Sequence, residues 1–348
     1  MSSEIVEFEE LLERILSNTG AIPFSQLYAL SDLSRERLPA FAVAWEILNA
    51  PDRRRLIHAL VELAEASFQV NYDAIFRHTL SDPDPEVRAA AIDGLWENEE
   101  IPLIGRFITA LRSDPEPQVR AAAATALGRF VLAGELERID PAIQNRIMTE
   151  LLTIIHLDGE SLEVRRRALE SAGYSCTPET IEALDIAYYE GDEALRLSSI
   201  VAMGRSCDRR WQDLVLAELE SSSPAMRYEA ALAAGELMLR PAVPILARLM
   251  QDHDPQVRDA TIWALGQIGG PQSKRLLVEA YERADEDTRA VVEEALAEHA
   301  LSEGKIEFPL YAIEDKDEDE EDLDWDQEID QGIDLEDSSP GEEDLEDW

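Results

Sequence analysis

DPQVRDATIWALG, residues Asp254–Gly266, is the stretch that decides the fold. It opens with an acid that can cap a helix, and Pro follows at the first helical position, where a missing N–H does no harm. Gly then stands eight residues after Arg258. The same order recurs along the chain as DPEVRAAAIDGL from Asp84, EPQVRAAAATALG from Glu116, SLEVRRRALESAG from Ser161, DEALRLSSIVAMG from Asp192, SPAMRYEAALAAG from Ser223, and a worn DEDTRAVVEEAL from Asp285. The arginines are Arg88, Arg120, Arg165, Arg196, Arg227, Arg258 and Arg289, spaced 32, 45, 31, 31, 31 and 31 residues apart. Five copies place Gly eight residues after the Arg (Gly128, Gly173, Gly204, Gly235, Gly266), a position that suits a helix end.

Between copies lie second helical segments, with apolar residues at three-four spacing: Ile181, Leu184, Tyr188; Val243, Leu246, Leu249, Met250; and Leu276, Leu277, Ala280. The unit is therefore a helical hairpin, read here as the arginine helix followed by its companion. Neither helix can bury its apolar face alone, so neighbouring hairpins must stack into a solenoid with one continuous core. Small residues three after the Arg (Ala91, Ala123, Ala168, Ser199, Ala230, Thr261) permit close approach.

These features resemble HEAT repeats, in particular the short variety of phycobilisome-lyase-like proteins, whose pattern is D-P-x-V-R-x-x-A-A-x-A-L-G. The resemblance covers roughly Tyr72 to Ala300. It implies an all-α, right-handed α-α superhelix of HEAT/armadillo type. It also implies that the seven arginines form a structural ladder with acids such as Asp84, Asp192 and Asp254. Residues 1–70 are expected to be a helical cap holding a degenerate copy at Pro51-Asp52-Arg53-Arg54-Arg55, and residues 71–304 to be the solenoid. The 45-residue interval carries a surplus near 132–144, read as a longer helix plus a projecting loop. Residues 305–348 are expected to be a disordered acidic tail.

In the resembled pattern the position five after the Arg is polar and faces the concave surface. Here it reads Asp93, Thr125, Glu170, Val201, Leu232, Trp263 and Glu294, so three consecutive repeats turn apolar. Leu197 and Tyr228 extend the strip one turn earlier, and Arg205, Glu236 and Gln267 flank it one turn later. An aliphatic and aromatic strip rimmed by polar groups has the composition of a protein-binding patch. The competing reading is that the neighbouring helices bury it as core.

Signs of catalysis are missing. The chain has no G-x-S-x-G, P-loop, G-x-G-x-x-G or Cys-x-x-Cys. Related short repeats in deoxyhypusine hydroxylase hold iron through His-Glu pairs, but none of His58, His78, His156, His253 and His299 is followed by Glu. No metal or cofactor is therefore expected. Cys176 and Cys207 occupy equivalent loop positions 31 residues apart, and helix spacing argues against a bond between them.

The charge limits the partners. The chain has 348 residues, 74 acidic and 31 basic, for a net −43. That balance argues against direct nucleic-acid binding or an anionic membrane surface. Glu314–Trp348 holds 20 of the acids and one Lys, and Leu323, Trp325, Leu345 and Trp348 punctuate it. Acidic-hydrophobic alternation of this sort docks on basic, apolar-lined surfaces, such as a basic client or the solenoid's own groove. The N-terminus lacks a basic start followed by an apolar run, and no apolar stretch approaches the ~18 residues of a membrane helix, so a cytoplasmic location is expected. The sequence points to a non-enzymatic scaffold, adaptor or assembly factor for a protein partner. The alternatives are a bilin-lyase-like enzyme or enzyme subunit, and an acidic-tailed chaperone for basic clients.

Overall fold

The computed structural model describes residues 8–14, 24–283 and 285–302. The chain divides into two units, Met1–Lys305 and Ile306–Trp348, and the second lies outside the described residues. The described part is helical, without strands. After Phe24–Leu27 and a 3-10 turn at Tyr28–Leu30, the chain runs through Leu38–Ile47 (α1), Ala50–Ala66 (α2), Asp73–Thr79 (α3), Pro85–Gly94 (α4), Ile101–Ser113 (α5), Pro117–Glu135 (α6), Pro141–Ile155 (α7) and Leu162–Ala172 (α8). It continues with Pro178–Tyr189 (α9), Glu193–Arg205 (α10), Gln212–Glu218 (α11), Pro224–Glu236 (α12), Val243–Leu249 (α13), Pro255–Ile268 (α14), Gly270–Arg283 (α15) and Glu286–Ser302 (α16).

From α2 to α16 the even-numbered helices form one row, each packed on the next, and from α4 onward they carry the seven arginines. From α3 onward each odd-numbered companion packs on the arginine helix that follows it. The hairpin is thus companion first and arginine helix second, the reverse of the order read from the sequence. Companions of neighbouring repeats touch one another only sparingly, so the two rows are unequally tight.

The helix starts follow the sequence. The side chains of Asp84, Asp192 and Asp254 accept backbone N–H bonds from the first turns of α4, α10 and α14. The small residues three after each arginine, from Ala91 to Thr261, are fully buried between rows.

The repeated glycines, Gly128 excepted, stand at or within two residues of helix ends, but none supplies the left-handed turn. Gly128, Gly204, Gly235 and Gly266 lie inside α6, α10, α12 and α14, and Gly173 follows α8 with a right-handed φ of −60°. Each is a notch for the next repeat. A methyl group on Gly173 would sit 2.7 Å from the Ala202 Cα, and one on Gly266 would sit 2.8 Å from the Ala295 carbonyl oxygen. The left-handed residue that turns the chain comes three positions later, at Cys207 (φ 53°), Met238 (φ 49°) and Gly269 (φ 66°).

The surplus of the long interval goes into helix. α6 has 19 residues and α7 has 15, joined by the short connection 136–140, in which Arg138 reaches Glu99 at 3.1 Å. Cys176 and Cys207 are free, and the Cys176 thiol donates to the Ser206 carbonyl at 3.2 Å.

Candidate protein-binding site on the arginine row

Ion pairs bridge successive repeats along the arginine row. Arg88 donates through Nε and Nη2 to both oxygens of Asp114, each at 2.8 Å, and through Nη1 to the Asp82 carbonyl at 2.8 Å. Arg227 repeats this with Asp252, both bonds 2.8 Å, and with the Ser221 carbonyl at 2.9 Å. Arg120 takes Glu160 at 3.0 and 2.7 Å. Arg53 of the degenerate copy lies 3.2 Å from Asp82, so the ladder begins in α2.

The ladder acid therefore stands six residues before the next arginine, or five in the case of Glu160. The expected partners Asp84, Asp192 and Asp254 stand four before it, where their carboxylates are committed to capping. Asp84 additionally takes Arg54 at 2.7 Å. The guanidinium of Arg227 holds Asp252 below the usual carboxylate range. Burial pushes Glu160 upward, but its bonds from Arg120 and the Ser161 N–H outweigh that and leave it low.

The ladder changes character in the middle. Arg165 donates to the Ile155 carbonyl at 2.9 Å, and Arg196 stacks 4.8 Å over Tyr188 and bonds the buried Glu218. Arg258 bonds the Asp252 carbonyl at 2.8 Å, and Arg289 stacks 5.3 Å over Tyr281.

A polar network replaces apolar packing at the same place. Two residues after the arginines stand Ala90, Ala122, Arg167, Ser198, Glu229, Ala260 and Val291, so three consecutive repeats are polar there. Glu170 on α8 is buried. It accepts from the Ser198 hydroxyl at 2.6 Å and from Arg167 at 2.8 Å, while Arg166 donates to Ser198 at 2.9 Å. Arg205 on α10 donates to the Glu170 carbonyl at 3.1 Å and stacks 5.2 Å over Tyr174. Glu229, half-buried on α12, is pushed up to about 7 by burial and by the negative charges of Glu170 and Glu236, against the pull of Arg205 and Arg166.

Beside this network lies the strip. Leu197, Val201, Tyr228, Leu232 and Trp263 are all half-buried, neither sealed in the core nor standing free, and Arg205 and Gln267 share that intermediate exposure. Leu197, Tyr228, Leu232 and Trp263 pack one side against the core. The Trp263 ring covers the notch of Gly235, where a methyl would lie 2.6 Å from its Cζ3, and the exposed Glu236 places its carboxylate over the notch of Gly204. Three repeats thus present an indole, a carboxylate and aliphatic side chains in one row. The tail residues Leu323, Trp325, Leu345 and Trp348 lie outside the described residues.

Ser198 and Glu229 were not singled out in the sequence, although the series two after each arginine carried the signal, and Glu170 stood in the five-after series only as one of its polar members. Among the described residues no group of three or more His, Cys, Asp or Glu could hold a metal ion. Among them, no helix is long and apolar enough to cross a membrane.

Residues 72–144 and 212–297 match the family model for HEAT repeats. The intervening 145–211, which that HEAT match leaves out, is where Arg165 and Arg196 depart from the ladder. Among solved structures, the HEAT solenoid is similar to Escherichia coli YibA (17% identity, 70% of this chain and 96% of that one, TM-score 0.41). It is also similar to human deoxyhypusine hydroxylase in complex with glycerol (17%, 86% and 98%, TM-score 0.31) and to yeast importin-beta, Kap95p (15%, 84% and 46%, TM-score 0.44). The chain thus spans about half the length of the importin-beta it matches. No curated protein matches the sequence.

Proposed function

We propose that the chain is a non-enzymatic, cytoplasmic scaffold or assembly factor. It belongs to the short, phycobilisome-lyase-like variety of HEAT protein and holds a protein partner along the arginine row of α10, α12 and α14. The observation that carries this reading is the strip Leu197, Val201, Tyr228, Leu232 and Trp263, half-covered in three successive repeats, all but Val201 packed against the core. A rigid, partly dehydrated aromatic and aliphatic surface loses little side-chain freedom on binding, which favours affinity. The 31-residue period supports the short-repeat assignment.

The test is affinity capture with the wild-type chain and with Leu232→Asp plus Trp263→Asp. Loss of the captured partner in the variant, with an unchanged helical circular-dichroism spectrum, is the expected result. Retention of every wild-type partner refutes the site. The segment Glu314–Trp348 carries 19 of the 43 net negative charges and would favour basic clients. Its removal should weaken capture at low salt more than at high salt.

A further inference from the structure

The strip has a chemical bias that names its occupant's class. Glu229 and Glu236 sit one above the other on α12, seven residues apart. The cations around them are already engaged: Arg166 with Ser198, Arg167 with Glu163 and Glu170, and Arg205 with the Glu170 carbonyl and the Tyr174 ring. Among the described residues no donor hydrogen-bonds either Glu229 or Glu236, and neither carboxylate is sealed from solvent. Beside Glu236 the Trp263 ring is fixed over Gly235, and Leu232 fills the turn between the two acids. A carboxylate pair with unused acceptor capacity, next to an indole and an aliphatic surface, matches a long cationic side chain. Its head needs anionic acceptors, and its methylene stem needs apolar or aromatic cover.

We infer that the strip receives an extended segment of a partner protein bearing a lysine or arginine. The cationic head sits at Glu229 and Glu236, and the stem lies against Trp263 and Leu232. This rests on the reading of the strip as the partner surface and adds the partner's chemistry. It also explains why α12 keeps Glu229 where three other copies have Ala. The groups facing Glu229 are Arg166 and Glu170 from α8, Arg205 from α10, and Glu236 from its own helix. Cation binding stabilises the ionised carboxylate, so affinity rises as pH increases from 6 to 8 across the value of about 7 held by Glu229.

The experiment is fluorescence anisotropy on the full chain with a labelled peptide repeating Arg-Leu-Ser and with the same peptide in citrulline, which keeps the shape and removes the charge. The arginine peptide should bind. Glu229→Gln with Glu236→Gln should weaken it about tenfold, as expected for losing a charge-assisted contact. Glu294→Gln, an exposed acid two repeats further along the same row, should change it less than about twofold. Equal losses for Glu294→Gln and the double variant, or equal binding of the citrulline peptide, overturn the inference. If both peptides bind equally and Leu232→Asp abolishes both, the strip stands and only its cation preference fails. If neither peptide binds, the inference falls. If Leu232→Asp with Trp263→Asp also captures every partner, the strip reading falls with it.

Discussion

Gly173→Ala tests how the repeats are held together. With φ at −60°, alanine meets no backbone strain there, so the whole effect comes from the neighbouring helix. The added methyl would lie 2.6 Å from the Ala202 Cβ, 2.7 Å from its Cα and 2.8 Å from its carbonyl oxygen. Comfortable carbon contacts are about 3.5–4.0 Å, so α8 and α10 must part by roughly 1 Å, and backbone cannot rotate out of the way. Overpacking of this kind costs about 1–3 kcal/mol, and the helix-propensity gain of at most ~1 kcal/mol is reduced at a helix end. We expect net destabilisation of about 1–2 kcal/mol, read as a lower urea midpoint with unchanged slope. Gly105→Ala is the control: nothing lies within 4 Å of the added methyl on the exposed face of α5, and it should stabilise by up to ~1 kcal/mol. Replacing Ala202 by Gly in the Gly173→Ala background removes only the Cβ conflict, so rescue should be partial. If Gly173→Ala is neutral or stabilising, the notch explanation of the glycine series is wrong.

Two further predictions concern the same scaffold. Met238→Gly and Cys207→Gly should each stabilise by about 0.5–1 kcal/mol in urea denaturation, because both exposed residues hold left-handed backbone and the equivalent position in α14's repeat is already Gly269. Asp114, Glu160 and Asp252 are held below the usual carboxylate range, so the stability they contribute is present above the unfolded value near 4 and is lost as pH falls through their folded values. A stability profile from pH 6 to 2 should therefore show an acid limb that Asp252→Asn makes shallower, and an unchanged limb would exclude the ladder as its source.

The period and the helix starts were legible because each has a local cause: a capping side chain, a proline, a small residue at fixed spacing. The errors arose where one residue type serves two purposes. Glycine eight after the arginine fits both a helix end and a close crossing. Here it serves both, standing at or near the ends of α8, α10, α12 and α14 while the next repeat packs against the bare backbone. The aspartate four before the arginine looked like its partner, yet its carboxylate caps the first turn, and the arginine that Asp84 also takes, Arg54, belongs to an earlier helix. The acid that takes the ladder arginine is the one two residues earlier, as in Asp82 and Asp252, although each also accepts a backbone N–H. The strip was visible because it breaks a repeated position outward. The network of Arg166, Glu170 and Ser198 was not, because its members belong to two helices and its hydrogen bonds exist only after stacking, while Glu229 on a third helix joins it through charge alone.

Glu229 joins the scaffold to the proposed site. For an acid whose folded pKa is raised, the folded state binds more protons than the unfolded one, so stability falls as pH rises from the ordinary 4.5 to about 7 and stays reduced above it. Glutamine keeps the size and removes the ionisation. Glu229→Gln should therefore be more stable than wild type at pH 8 and about equal at pH 4, a difference that circular-dichroism melts at the two values will read. A residue kept only for structure would lose stability, or stay neutral, when changed. If the variant melts higher at pH 8 and binds the arginine peptide less well, the carboxylate is being retained against stability for the sake of binding. If it melts lower at both pH values, Glu229 is a structural acceptor within the network, and the cation site cannot be centred on it.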